Sequence, residues 1–177
     1  DRASFDSLSA ALARHDMGLV LDVVPNHMGV GGHDNAWWLD VLEWGEDSPY
    51  AAFFDIDWQP ARRELRGKLL LPFLGDHYGA VLERGELKPV YDRAEGSIGI
   101  WYWEHRLPVA PTHYARLLAP AAEAIGETTM ELARGMAGTR SPSARRQAAL
   151  EMKAALAARP ELGDAIDAAL GRLTGDP

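Results

Sequence analysis

The pattern of apolar and polar positions divides the chain into three regions. Residues 1–30 predict a helix that Ser4 can cap, followed by a buried strand. One face of this helix is apolar and consists of Phe5, Leu8 and Leu12. The nearly continuous apolar run at 18–24 then favours a strand covered on both faces, as in a parallel sheet.

The second region, residues 31–110, is irregular and holds all six Trp residues of the chain. A short helix is predicted near 36–43 and one or two helical turns near 77–84. Two short runs at 87–91 and 98–103 predict a β-hairpin. This region therefore has the character of an aromatic-rich lobe with little regular structure.

The third region, residues 111–177, is rich in Ala, Arg and Glu, and predicts three or four helices. Ser141-Pro142 is a typical helix start, and Pro160 opens a further helix. Its charges are most simply a solvated face. The three regions together predict an α+β fold in which helix predominates.

Composition excludes several classes of protein. A net charge of −8 argues against a nucleic-acid partner, which needs a clustered basic face. No apolar run approaches the ~18 residues of a membrane helix. The chain has no Cys, which is compatible with a cytoplasmic location. It begins at Asp1 without an initiator Met or a signal pattern, so we expect a piece of a longer protein.

Candidate chemistry is concentrated at the end of the predicted strand. Asp22, Asn26 and His27 form a polar cluster there. Ligands bind at the carboxyl ends of strands in parallel α/β folds, because the loops converge around a cavity. From spacing alone, the alternative is that Asp22 and His27 merely satisfy local backbone groups.

The segment Leu21-Asp22-Val23-Val24-Pro25-Asn26-His27-Met28 resembles the first conserved region of the α-amylase superfamily, and most closely that of maltooligosyl trehalose synthases. Further segments at 37–43, 48–58, 69–79 and 107–114 are similar to that branch in the same order. The resemblance covers about residues 1–120 with specific motifs, and only loosely the helical remainder.

The resemblance implies a glycosyl hydrolase-type (β/α)8 barrel whose third strand ends at the motif. It implies an isomerase of trehalose biosynthesis that turns the reducing-end α-1,4 bond of a maltooligosaccharide into an α,α-1,1 bond. His27 would contact the sugar beside the scissile bond, while Asp22 would support the strand end. The predicted substrate-binding residues are His27, Asn26, Asp22, Trp37 and Trp38.

The chain departs from the family in length and in its carboxylates. A (β/α)8 barrel needs ~200–250 residues, and no counterpart of the family's catalytic Asp and Glu motifs follows His27. We therefore expect a fragment without catalytic residues, inactive alone: a barrel-derived helix and strand at 1–30, an inserted lobe at 31–110 and a helical region at 111–177. Its expected partners are the maltooligosaccharide substrate, the remainder of the barrel and, through the unpaired strand, a second copy.

No metal and no cofactor are expected. Asn26 corresponds to a calcium ligand in many amylases, but one amide without a nearby acidic loop is a poor calcium site. His33-Asp34 and Asp76-His77 lack the three or four converging groups that zinc needs. Residues 33–35 could instead line the sugar site or cap a helix. His105 and His113 are interpreted as ordinary surface or packing residues.

The six Trp residues leave a second function open. Their rings can stack on sugar rings, although most Trp residues in a small lobe form its core. The alternative hypotheses are a free-standing carbohydrate-binding module that uses the Trp-rich lobe, and an interaction domain without a sugar role. The sequence that flanks this chain distinguishes these hypotheses, because only the enzyme-fragment hypothesis requires catalytic Asp and Glu motifs downstream.

Overall fold

The computed structural model describes residues 1–22 and 29–173, and it confirms a helix-rich α+β fold. The helices are α1 (Arg2–Arg14), α2 (Ala36–Trp44), α3 (Tyr78–Glu83), α4 (Tyr114–Leu117), α5 (Ala122–Ile125), α6 (Glu127–Gly138), α7 (Pro142–Ala157) and α8 (Gly163–Gly171). The strands are β1 (Lys88–Asp92), β2 (Ser97–Tyr102) and β3 (His105–Pro108). Short 3-10 turns lie at Gly45–Asp47, Ala51–Phe53, Arg63–Leu65, Pro111–His113, Ala119–Ala121 and Pro160–Leu162.

The three strands form one antiparallel sheet in the order β1-β2-β3. Val90 lies opposite Gly99, and Gly99 lies opposite Pro108. The predicted hairpin is therefore confirmed as β1 and β2. The third strand was not predicted, because it has only four residues. It also ends at a proline, which cannot donate a hydrogen bond to a neighbouring strand.

Local signals identified the starts of α2 and α7, but not the capping residue of α1. The Asn35 side chain caps α2, and the Ser141 side chain caps α7. The cap of α1 is Asp1 rather than Ser4: an Asp1 carboxylate oxygen accepts the Ser4 backbone N–H at 2.9 Å. An acidic residue at this position also complements the positive end of the helix dipole.

The prediction of a buried strand at 18–24 is wrong for the residues that the structure describes. Residues 18–22 belong to no helix or strand, and the side chain of Val20 is 95% exposed. A β-strand needs a neighbour to pair its backbone groups, and none of the described strands lies beside this segment. Residues 23 and 24 lie outside the described ranges.

The main core joins the sheet to the C-terminal helices. Tyr91 of β1 and Ile98 of β2 belong to the same buried cluster as residues of helices α4 to α8. Tyr114 is fully buried in it, and its hydroxyl accepts the Ile98 backbone N–H at 2.6 Å. The core thus spans the predicted regions 31–110 and 111–177, whose boundaries stay predictions.

Helix α1 lies outside this core. None of its residues is buried, and Phe5 and Leu8 of its apolar face are about half exposed.

Within the described ranges, no helix combines the length and the apolar character that crossing a membrane requires.

Candidate functional site

The segment that follows the Asp22-to-His27 motif is attached to the β2–β3 hairpin. The Gly32 backbone N–H donates to Nδ1 of His105 at 3.3 Å. Nδ1 of His33 donates to the carbonyl oxygen of Glu104 at 3.3 Å, and its ring lies 5.2 Å from that of Trp101. The two hydrogen bonds join positions more than 70 residues apart, so the β2–β3 hairpin holds the loop that follows the motif in place.

A groove of about 190 Å³ lies between this segment, α2, residues 71–73 and β3. It is lined by Val30, Gly31, Gly32, Trp38, Leu42, Leu71, Pro72, Phe73, His105, Arg106 and Leu107. Ligand pockets commonly combine apolar walls with a few polar groups, which here are the side chains of His105 and Arg106. The volume is below the roughly 300–1,000 Å³ of complete ligand pockets, so the groove has the size of a partial site.

Aromatic contacts fix the wall of the groove that β3 forms. The ring of Phe73 lies 5.1 Å from that of His105 and 5.8 Å from that of Tyr102. The Tyr102 hydroxyl accepts the Gly75 backbone N–H at 3.0 Å. The irregular segment around residues 71–75 is thereby held against the hairpin, and the orientation of the His105 ring is restricted.

The predicted site residues are distributed over different surroundings. Asn26 and His27 lie outside the described residues. Asp22 is exposed in the irregular segment before them. Trp38 is buried, packs on Phe54 at 5.0 Å and lines the groove. Its contact with a sugar stays a prediction, and the packing role is the one observed.

Trp37 belongs to a separate, exposed aromatic cluster. It is 41% exposed, and its ring is stacked on Tyr50 at 5.1 Å with an interplanar angle of 7°. Phe53, 60% exposed, lies 5.0 Å from Trp37. Successive residues of α2 point in different directions, so Trp37 and Trp38 serve different surfaces.

Of residues 33–35, Asn35 takes the helix-capping role that was considered for them. The side-chain oxygen Oδ1 of Asn35 accepts the backbone N–H groups of Trp37 and Trp38, both at 3.1 Å, while its side-chain amide nitrogen donates to the Gly29 carbonyl oxygen at 2.9 Å. This residue therefore caps α2 and fixes the loop that follows the motif. His33 contacts the hairpin instead.

Sequence reasoning missed the part of the groove that β3 contributes. His105, interpreted as an ordinary residue, accepts a hydrogen bond from the loop beside the motif. Phe73 and Arg106 were not singled out. No spacing in the sequence could have identified them, because their proximity to residues 30–32 depends on the docking of distant segments.

A network of ion pairs anchors α2 against α7. Arg146 donates to both carboxylate oxygens of Asp40, at 2.7 and 2.9 Å, and the Ser48 hydroxyl donates to the same group at 2.6 Å. Lys153 pairs with Glu43 nearby. Burial disfavours the ionised form of Asp40, but the hydrogen bonds from Arg146 and Ser48 outweigh it and lower the pKa of Asp40.

Two further carboxyl groups, outside the Asp40 network, also have a lowered pKa. A hydrogen bond from Arg106 lowers the pKa of Glu95, and a hydrogen bond from the His77 backbone N–H lowers the pKa of Asp76. A general acid in glycoside cleavage needs a raised pKa. In residues 1–22 and 29–173, no three His, Asp or Glu side chains converge as a metal ion would require.

Asp40→Asn is expected to destabilise the chain by about 2 kcal/mol at pH 7, because the charged hydrogen bonds from Arg146 are lost. The folded-state pKa of Asp40 is lowered, so its stabilisation is present above the unfolded-state pKa of about 3.9 and is lost as the pH falls through the folded-state value. Urea unfolding should show that the difference in free energy of unfolding between Asp40→Asn and the unsubstituted 177-residue chain shrinks below about pH 4.

The matched control for Asp40 is Glu127, whose pair with Arg134 is exposed. Glu127→Gln should change the free energy of unfolding by less than about 0.5 kcal/mol at any of these pH values. Equal effects of the two substitutions would show that the α2–α7 ion pair contributes no more than an exposed one.

Part of the chain is similar in sequence to two known proteins. Two curated proteins, from the CDC 1551 and H37Rv strains of Mycobacterium tuberculosis, are each 52% identical to this chain over 69 residues. Both carry the provisional name maltooligosyl trehalose synthase. The resemblance to maltooligosyl trehalose synthases is confirmed. The name describes these two relatives as enzymes.

The similarity to these synthases is partial. The matched part is 38% of this chain and 8% of each relative, so the chain spans only a small portion of the proteins that it resembles. No family model matches the chain. No solved structure matches it.

Proposed function

We propose that this chain is a segment of an enzyme that converts the reducing-end α-1,4 bond of a maltooligosaccharide into an α,α-1,1 bond. The observation that carries the proposal is the 52% identity over 69 residues to two proteins with the name of such a synthase. The Asp22-to-His27 motif and the order of the segments that follow it support the same assignment.

The reaction follows the retaining pattern of glycoside cleavage. A carboxylate attacks the anomeric carbon of the penultimate sugar, while a carboxylic acid protonates the oxygen that leaves with the terminal glucose. The released glucose then attacks the covalent intermediate through its own anomeric hydroxyl, whose proton returns to the second carboxylate. Water must be excluded meanwhile, since otherwise hydrolysis competes.

In this proposal the chain supplies substrate contacts rather than the reacting carboxylates. His27, with Asn26 and Asp22 beside it, would contact the sugar at the strand end. The loop at residues 29–35, hydrogen-bonded to His105 and Glu104, would form one wall of the cavity. Hydrogen bonds lower the pKa of Asp40, Glu95 and Asp76, so none of these three carboxyl groups is the acid in this proposal.

The apolar side chains exposed in the first region support the proposal that this surface contacts another part of the enzyme. Leu21 and Val20 are 66% and 95% exposed, and Phe5 on α1 is 51% exposed. Isolated apolar side chains are normal on surfaces, but a continuous run is typical of a contact with another body. We propose that the remainder of a (β/α)8 barrel covers this surface in a cytoplasmic parent enzyme, and that a second copy can cover it when the chain is alone.

The test uses the parent enzyme, which is the full product of the gene that encodes this chain. The enzyme is incubated with maltopentaose. The expected product is a non-reducing sugar of the same mass, with little free glucose. The 177-residue chain alone is expected to give no turnover, because cleavage needs two carboxyl groups held on either side of one bond.

Two outcomes would contradict the proposal. If the parent enzyme only hydrolyses maltopentaose, the proposed conversion to an α,α-1,1 bond is wrong. Turnover by the 177-residue chain that survives repurification and is abolished by one Asp or Glu substitution would show that the chain contains a complete active site.

A second candidate function is a carbohydrate-binding module, and the exposed cluster of Trp37, Tyr50 and Phe53 favours it. Such a module would bind glucan with no downstream catalytic sequence. Reading the gene beyond the codon for Pro177 distinguishes the two candidates. Catalytic Asp and Glu motifs support the synthase, and a stop codon supports the module.

A further inference from the structure

The turn between β2 and β3 contains a large residue in an unfavourable backbone conformation. Tyr102 pairs with His105, so Trp103 and Glu104 are the two turn residues. Trp103 has a φ of +51°. Two-residue hairpin turns with a positive φ at the first position usually have Gly, Asn or Asp there, because a larger side chain crowds the backbone in this region. Trp is a poor choice for the turn itself.

Packing within the described chain does not account for this choice. The side chain of Trp103 is 75% exposed, and its ring has one edge-on aromatic contact, with Tyr102 at a centroid distance of 6.5 Å. Residues held in strained conformations cluster at binding sites, where the side chain has a task outside the fold. The exposed indole is therefore a candidate for ligand contact.

Trp103 borders a hollow of about 330 Å³ whose walls combine indole rings with charged side chains. Trp101 lines it too, together with Arg84, Gly85, Glu86 and Lys88. Trp101 lies opposite Lys88 in β1 and opposite Arg106 in β3. The hollow is thus formed by the exposed face of the sheet and the loop that follows α3.

The polar wall is held in place by ion pairs. The Arg84 guanidinium donates to Glu86 at 2.5 Å and to Asp76 at 2.9 Å. Arg84 and Lys88 are balanced by Glu86 and Asp76, so the wall offers no net attraction to an anion or a cation. It does offer fixed donors and acceptors to a neutral ligand with many hydroxyl groups.

Indole rings and fixed planar hydrogen-bonding groups together match the surface of a sugar. A pyranose ring packs its apolar face on an aromatic ring and directs its hydroxyls to the polar wall. The hollow also lies beside the loop next to the motif, because His33 contacts the Trp101 ring and donates to the Glu104 carbonyl.

We propose that the hollow between Trp101 and Trp103 binds a glucose unit of an α-1,4-glucan at a site separate from the predicted strand-end site. The choice of an α-1,4-glucan rests on the proposed function, while the choice of a neutral sugar rests on the hollow itself. Trp103 provides the main stacking surface, and Arg84 provides hydrogen bonds to the ring hydroxyls.

The test is calorimetric titration of the 177-residue chain with maltoheptaose, with cellohexaose as the comparison sugar. Trp103→Gly should weaken maltoheptaose binding by about tenfold or more, as truncation of a central aromatic contact does. The same substitution should leave the melting temperature unchanged or raise it, because Gly adopts the positive φ without strain. Arg84→Leu should weaken binding without removing it.

Two control variants separate this site from other exposed apolar side chains. Leu150→Ala removes a side chain on α7 that is 58% exposed, and it should leave binding unchanged. Trp37→Ala removes the centre of the other exposed aromatic cluster, so loss of binding in this variant alone would place the sugar there instead.

Several results would overturn the proposal. They are unchanged binding in Trp103→Gly, loss of binding in Trp37→Ala alone, equal binding of cellohexaose, or no binding of maltoheptaose to the chain. None of them bears on turnover of maltopentaose by the parent enzyme, so failure of this site and failure of the proposed function are separately visible.

Discussion

Replacing Gly96 by Ala is expected to destabilise the folded chain by more than about 4 kcal/mol, the range reserved for severe structural conflicts. Gly96 lies in the turn between β1 and β2 with a φ of +62°. A Cβ atom there would lie 2.0 Å from the carbonyl oxygen of Lys153 and 2.9 Å from its carbonyl carbon. These are backbone atoms of α7, so relief of the clash requires the sheet and the helix to separate.

Gly85 provides the matched control. Its φ is +64°, and a Cβ atom there would have no heavy atom within 4 Å. Gly85→Ala should therefore cost only the conformational penalty of about 1 kcal/mol. Urea unfolding monitored by Trp fluorescence measures both variants. Similar free energies of unfolding for the two would show that the approach of the β1–β2 turn to α7 is not important for stability.

The contrast between these two glycines also shows what a sequence can indicate. Glycine is typical of turns and helix ends, and Gly85 lies just after the helical turns predicted near 77–84. The close approach of Gly96 to Lys153 depends on how a turn meets a helix 57 positions later in the chain. Local conformational preference is encoded by neighbours, whereas tertiary contact is not.

The helices predicted best are those with a capping side chain at the start and a periodic apolar face. Asn35 and Ser141 satisfy backbone N–H groups that the helix itself leaves unpaired, so their effect is local and visible in the sequence. Strand β3 has no such signal. It exists because β2 offers a free edge and because the Trp103–Glu104 turn reverses the chain.

The candidate site was predictable only in part, for the same reason. The motif at Asp22, Asn26 and His27 is visible as a polar cluster after an apolar run. The contact of its neighbouring loop with His105 joins positions 73 residues apart, and no periodicity records it. The failed strand prediction is related, because an apolar run forms a strand only where other strands accept it. The described chain provides none for residues 18–22.

His27→Ala in the parent enzyme is expected to lower kcat/KM at least tenfold, which corresponds to about 1.4 kcal/mol of transition-state stabilisation. This expectation rests on the proposed function, in which His27 contacts the sugar beside the scissile bond. A contact there strengthens as the ring distorts toward the oxocarbenium-like transition state, so kcat should fall more than KM rises. Stability should change little, since the role is in binding rather than packing.

The control for His27 is His113, which is exposed in the 3-10 turn before α4. His113→Ala should retain the kinetics of the parent. Rates of non-reducing product formation from maltopentaose, measured with the melting temperature of each variant, separate catalysis from folding. Parent-like kinetics for His27→Ala would remove this residue from the sugar site. A loss of activity matched by an equal loss of stability would assign it to the support of the loop at residues 29–35.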